Sequence, residues 1–235
     1  AFNDRQHRAT KRFVEIYGHR ILQGPFAGLD YVADACGSEL LPKLLGSYEA
    51  ELHSVIDQVI HRRYAVIVDI GCAEGYYAAG LAYRCPWAEV RAYDMSAEAR
   101  SRCQQLVDLN KLQDQVRISD RFAMSDLRDL AGRSCLVVCD IEGDELALLE
   151  SCASEHLAAD WLIELHGMVQ PKVHRRVIEV FADTHDVHLI DSRNRDPATS
   201  PALWYLRSDT DRYAALSERR VPMQWAWIER RATAT

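Results

Sequence analysis

Residues 66–75, Val-Ile-Val-Asp-Ile-Gly-Cys-Ala-Glu-Gly, carry an apolar run into an acid and then a glycine-bearing turn. A run of this length and β-branched content reads as a strand buried on both faces, as in parallel sheets. In such sheets ligands bind beyond the carboxyl ends of the strands, and Gly71 and Gly75 are expected to let a ligand approach the backbone. Residues 76–84, Tyr-Tyr-Ala-Ala-Gly-Leu-Ala-Tyr-Arg, read as the helix that follows, stopped by Cys85-Pro86.

What the turn lacks narrows the ligand. Counted from Gly71, the dinucleotide pattern G-x-G-x-x-G requires glycine at Ala73 and Tyr76, and the carboxylate of Glu74 suits a pyrophosphate poorly. No Gly-Lys-Ser/Thr follows, so the turn is not a phosphate-binding P-loop. An acid-bearing turn suits a ligand with positive charge and no phosphate. With Asp69, Gly71, Glu74 and Gly75 in place, the stretch resembles motif I of the class I S-adenosylmethionine-dependent methyltransferases. The resemblance implies a Rossmann-like α/β fold: a seven-stranded, mostly parallel sheet with helices on both faces. It also implies that S-adenosylmethionine is held along Asp69, Gly71, Cys72, Ala73, Glu74, Gly75 and Tyr76.

The next landmarks lie downstream. Residues 89–94, Glu-Val-Arg-Ala-Tyr-Asp, look like the second strand, and Asp94 falls 25 residues after Asp69, the length of one strand-helix-strand unit. A carboxylate there can accept both ribose hydroxyls, with Met95 beside it. A lone acid at a strand end can instead cap a helix, as Ser96 can too; the glycine turn at the right distance favours ribose. Gln115 to Ser119 reads as a third strand, followed by Asp120-Arg121-Phe122-Ala123. In methyltransferases that loop contacts the adenine, which implies Asp120 accepting from the amino group and Phe122 flanking the ring. A solvated loop acid and a core aromatic would explain the same residues.

Around this centre the chain is expected to form one domain, with residues 1–46 as an N-terminal cap and 47–235 as the methyltransferase domain. The cap carries a short helix near 5–17. Ser47 is a candidate N-cap for a helix through Tyr48, Leu52, Val55, Ile56, Val59 and Ile60, with Glu49 and Glu51 complementing its dipole. A helix over 97–109 turns Leu106 and Leu109 inward. Ser134–Asp140 and Trp161–His166 read as the fourth and fifth strands. Pro171 suits the first position of a helix over 170–182. Val187–Ile190 is a further strand, and Val221, Met223, Trp225 and Trp227 alternate in the last. Strands alternating with helices require a parallel sheet with right-handed crossovers.

Acids crowd the ends of the fourth and fifth strands: Asp140-Ile-Glu142-Gly143-Asp144-Glu145 and Glu164-Leu-His166. Period-two alternation puts Glu164 and His166 on one face and Trp161, Ile163 and Leu165 on the other. So many carboxylates repel unless a cation, a proton or a basic substrate compensates them. Three readings stand. Asp140, Glu164 and His166 bind a divalent metal, magnesium on an all-oxygen shell or manganese, iron or zinc with the imidazole. Alternatively His166 acts as general base, its ring oriented by Glu164. Or these residues only cap helices, as Glu142 and Asp144 could near residue 144. The segments Val-Val-Cys-Asp-Ile-Glu-Gly-Asp-Glu and Trp-Leu-Ile-Glu-Leu-His resemble those of FkbM-type methyltransferases, over about Ser47 to His188. That likeness implies methyl transfer to a hydroxyl of a sugar or natural product, with Asp140, Glu164 and His166 as catalytic residues. The Asp-Asn pair of metal-dependent O-methyltransferases is absent from the fifth strand.

Composition sets the remaining limits. The net charge is −7, with basic residues scattered, so no nucleic-acid footprint is visible and a small hydroxylated acceptor is the expected partner. A methyltransferase of protein or RNA, or a non-catalytic cofactor-binding module, would share the first half of the pattern. Apolar runs are strand-length and no signal region is evident, so no membrane association and a cytoplasmic location are expected. Homo-oligomer formation is left open. Seven cysteines without a C-x-x-C pair read as buried small hydrophobes, with Cys72 in the cofactor turn. Arg193 and Arg195 are candidates to clamp an anionic substrate, although a charged surface loop is the commoner explanation.

Overall fold

The computed structural model describes residues 2–123, 125–130, 132–151, 159–219 and 221–231. Its centre is a seven-stranded sheet of β1 (Val66–Ile70), β2 (Glu89–Tyr93), β3 (Val116–Ser119), β4 (Cys135–Cys139), β5 (Ala159–Leu165), β6 (His185–Asp191) and β7 (Gln224–Arg230). The order is β3-β2-β1-β4-β5-β7-β6. β7 runs antiparallel to both its neighbours, and the other pairings are parallel. β1 and β4 are buried along their whole length, as their unbroken apolar runs require.

Alternation along each strand supplies two cores. Ile67, Val90, Leu136 and Leu162 face one side, where they meet Val55 and Val59 of α3 (His53–Arg62), Leu81 of α4 (Tyr76–Arg84) and Leu106 of α5 (Ala97–Leu109). Val66, Val68, Val137, Trp161 and Ile163 face the other. There they meet Leu127 of α6 (Ser125–Arg128), Leu149 of α7 (Glu145–Ser151), and Val177 and Phe181 of α8 (Val173–Phe181). The N-terminal segment shares the first core through Phe13 of α1 (Phe2–Tyr17), Leu29, and Leu41 and Leu44 of α2 (Leu40–Leu45). α1 lies beside α9 (Asp209–Leu216): Arg5 pairs with Asp211 at 2.5 Å and the Gln6 amide donates to the Ser217 carbonyl.

Four local expectations change. Ser47 caps no helix, because Glu49 adopts φ +46, a left-handed conformation that no α-helix accommodates. α3 therefore begins only at His53, after a single 3₁₀ turn over Ala50–Leu52. Leu109, the last residue of α5, is 49% exposed, whereas Leu106 is buried. Pro171 stands before α8 rather than inside it. Val221 and Met223 precede β7, so they do not alternate within a strand. Five of the six described cysteines are buried, and Cys36 is half-buried. Among the described residues no helix is long and apolar enough to cross a membrane.

Candidate active site

The turn after β1 is shaped by the chain's own packing. Gly71 has φ +83, and a Cβ on it would lie 1.7 Å from the Asp140 carbonyl oxygen; one on Gly75, φ +97, would lie 2.8 Å from the Cys103 sulfur. The two glycines therefore make room for the residue after β4 and for α5, and Gly71 also lines the crevice at the strand ends. Between them Ala73 holds φ +48, and its amide donates to Asp94 at 2.9 Å. The other Asp94 oxygen accepts from the Ser96 amide, while Ser96 caps α5 through the Ala99 amide. Asp94 thus braces the turn and the start of α5, and each of its oxygens keeps further accepting capacity.

Glu74 also has a structural partner. Its carboxylate is fully buried and ion-paired with Lys43 of α2. It accepts from the Tyr31 hydroxyl at 2.8 Å and the Cys36 amide at 3.0 Å. Burial alone would raise its pKa, but Lys43 and these donors hold it below the ordinary value. The charge that suggested a cationic ligand is therefore already matched. Asp69 differs: burial pushes it up to about 7 against one bond from the Ala78 amide, and its Oδ2 has no partner.

A crevice of about 1210 Å³ runs along the carboxyl ends of the strands. It is lined by Asp69, the turn from Gly71 to Glu74, Tyr76, Asp94, Met95, Asp120 and Phe122. Phe122 stands edge-on to Tyr93, 5.4 Å between ring centres. Ala123 does not line the crevice; its amide donates to Asp126 at the start of α6.

The acids converge at the other end. His166, directly after β5, places Nε2 at 3.4 Å from Glu142, 3.6 Å from Glu164 and 3.7 Å from Asp140. Asp140, Glu164 and His166 offer donor atoms that all lie within 4.8 Å of one another. The residue that orients the imidazole is Glu145, not Glu164: it lies 2.7 Å from Nδ1 and also accepts from the Gly143 amide. In the first turn of α7 the Leu146 amide donates to the Gln170 side chain. Burial opposes the imidazolium, but Glu145, Glu164 and Glu142 together raise the His166 pKa. Burial, then the charges of Glu164 and Glu49, hold Asp140 well above the usual carboxylate range.

Two members of this cluster have no sequence signature. Arg219 bridges Glu164 and Glu49, and Tyr77 donates its hydroxyl to Glu49. Burial and Glu164 push Glu49 up to about 7, against Arg219 and Tyr77. Glu49 is therefore a member of the site rather than a partner of a helix dipole. Glu51 pairs with Arg195 at 2.6 Å, and Arg195 also holds Glu218 and the Ser47 carbonyl. Arg195 is thus an internal tie and not a substrate clamp. His185 is buried with Nε2 2.9 Å from the Ala159 carbonyl oxygen, and His188 pairs with Glu229 on the surface.

Solved structures share this architecture at low identity. A candidate O-methyltransferase from Klebsiella pneumoniae matches with a TM-score of 0.51 at 12% identity, over 94% of this chain and 90% of that one. An rRNA methylase from Streptococcus thermophilus matches with 0.51 at 14% identity, over 77% and 96%. A precorrin-6y C5,15-methyltransferase from Geobacter metallireducens matches with 0.50 at 11%, over 74% and 87%. No protein-family model and no curated protein matches the sequence. At these identities the likeness is one of fold, and the chain has the seven-stranded Rossmann-like fold of these methyltransferases.

Proposed function

We propose that the protein is an S-adenosylmethionine-dependent O-methyltransferase acting on a hydroxyl of a small molecule. The carrying observation is the convergence of Asp140, Glu164 and His166 at one end of the crevice whose other end is lined by the β1 turn and Asp94. The residues fit the cofactor: Asp69 Oδ2 is a buried acceptor without a partner, and Asp94 retains accepting capacity for ribose hydroxyls. When bound, the cofactor supplies an electrophilic methyl group. Asp94 binds the ribose, while Asp120 and Phe122 flank the adenine. At the acid end His166 Nε2 takes the proton of the acceptor hydroxyl as attack proceeds, and Glu145 stabilises the imidazolium. Positioning the oxygen in line with the methyl group supplies much of the rate. The FkbM-like segments support oxygen as the acceptor atom, and the N-terminal segment with the stretch that carries α9, which line the crevice through Cys36, Ser38, Glu218 and Arg219, would select the acceptor.

A divalent metal on Asp140, Glu164 and His166 is the second reading. It is favoured by the excess of carboxylates over cations, with Asp140, Glu142, Glu164 and Glu49 gathered around one guanidinium and one imidazole. Such an ion would act as a Lewis acid on the acceptor hydroxyl, with magnesium or manganese suited to this donor set. The test combines calorimetry with S-adenosylhomocysteine and radiolabelled methyl transfer to a panel of hydroxylated small molecules, before and after chelation. Absence of S-adenosylhomocysteine binding overturns the proposal. Full activity after chelation removes the metal and leaves His166 as base.

A further inference from the structure

Beyond the acids the crevice changes character. Met168 and Val169 follow His166 in the turn after β5, while Val221 and Met223 precede β7, whose Gln224 pairs with Leu165. All four side chains line the crevice. Met168 is 76%, Val169 66% and Val221 43% exposed. Large apolar side chains left in solvent forgo the stabilisation of burial. Gathered at one cleft rather than scattered, they mark a surface that a ligand covers. The turn that carries two of them is fixed in place. The Val169 amide donates to the His166 carbonyl at 2.9 Å, Val169 packs over Gly143, and Gln170 accepts from the Leu146 amide.

The charges beside this rim decide what kind of ligand that is. Among the described residues, four cations line the crevice, and three are spoken for: Lys43 by Glu74, Arg102 by Glu98, and Arg219 by Glu49 and Glu164. The fourth, Arg121, lies against Met95 at the far end. Among the described residues that line the crevice, no unpaired cation stands beside the apolar rim, and the floor next to it carries Asp140, Glu142 and Glu164. A phosphate or carboxylate there would meet repulsion without a compensating partner.

We infer that the crevice takes a hydroxylated acceptor with an apolar body and no anionic group, its hydroxyl towards His166 and its body against Met168, Val169, Val221 and Met223. The inference rests on the proposed methyl transfer only for the direction of the hydroxyl. The acids of the floor oppose sugar phosphates and RNA, and unsubstituted sugars leave the apolar rim uncovered.

The experiment measures binding by calorimetry, so no turnover is needed. The protein, alone and saturated with S-adenosylhomocysteine, is titrated with 2-naphthol, glucose, glucose 6-phosphate and a short single-stranded RNA. The expected result is that 2-naphthol binds at least about tenfold more tightly than any of the others. Met168→Asp and Val221→Asp, both exposed positions, should each weaken 2-naphthol by about tenfold while S-adenosylhomocysteine affinity stays unchanged. Equal or tighter binding of glucose, glucose 6-phosphate or RNA overturns the inference, as does undiminished 2-naphthol affinity in both variants. Failure of S-adenosylhomocysteine to bind strikes the methyltransferase proposal instead, and the titration of the protein alone still decides the acceptor class.

Discussion

His166 and Glu145 form a buried pair in which the imidazole Nδ1 lies 2.7 Å from a carboxylate without exposed surface. An ionised carboxylate only accepts, so Nδ1 carries the hydrogen and the Nε2 lone pair is left facing Asp140, Glu142 and Glu164. Either role proposed for His166, base or ligand, needs that lone pair. Glu145→Gln is expected to lower methyl transfer by roughly 10- to 100-fold, the usual effect of removing such an orienting partner. S-adenosylhomocysteine affinity should not change. Nitrogen-15 spectra of the ring would report the tautomer, and an unaltered spectrum with full activity would exclude Glu145 as its orienter.

Arg219 keeps two buried carboxylates apart. Arg219→Ala leaves Glu49 and Glu164 facing each other, and removing one partner from a buried charge cluster costs about 3–5 kcal/mol. Glu49 already titrates near 7, above its unfolded value, so it favours the folded state most below pH 4.5 and progressively less as pH rises towards 7. Losing Arg219 extends that decline upwards. Urea unfolding should show the variant falling further below the parent protein at pH 8 than at pH 6, and Glu49→Gln should flatten the parent profile. Parallel profiles for all three proteins would show that Glu49 does not titrate there.

The strand-end glycine is set by sterics. Gly71→Ala would drive a Cβ into the Asp140 carbonyl at 1.7 Å from a backbone already at φ +83. A loss of about 3 kcal/mol or more is expected, since both backbone strain and overpacking apply. The check is a thermal melt of the protein without ligand, and a Tm within a degree or two of the parent would contradict it.

The Lys43 to Glu74 pair makes a prediction of opposite sign. Glu74 is held below its ordinary value of 4.5, so its contribution is present above that pH and is lost as pH falls through the folded pKa. Lys43→Met should destabilise the protein by about 3–5 kcal/mol at pH 7 and by less at pH 4. Adding Glu74→Met should recover much of the loss, which denaturant titrations of the three proteins would measure.

What could be read from the sequence was what depends on local pattern. The buried runs at β1 and β4 follow from apolar length, and the shared face of Glu164 and His166 from period-two alternation, whereas the strand order that brings them to Asp140 was implied by the methyltransferase resemblance. The partners of those residues follow from neither. Glu145 lies 21 residues from His166, Lys43 lies 31 from Glu74, and Arg219 lies 170 from Glu49. Nothing in the spacing of acids along one strand shows which distant cation will fold against them. The packing role of the glycines was not legible either, because it depends on how closely the end of β4 and α5 approach the turn. Glu49 was misread because its left-handed backbone ends the helical pattern that surrounds it.

The joining of Glu49 to Arg219 also sets an order in time. A chain emerging from the ribosome can form the turn after β1, the Lys43 to Glu74 pair and the braces of Asp94 while its later residues are still unmade. The acid end must wait until residue 219 has been added, and until then Glu49 and Glu164 have no cation between them. The partners of the β1 turn near Glu74 and Asp94 are therefore all synthesised well before the cation of the acid cluster.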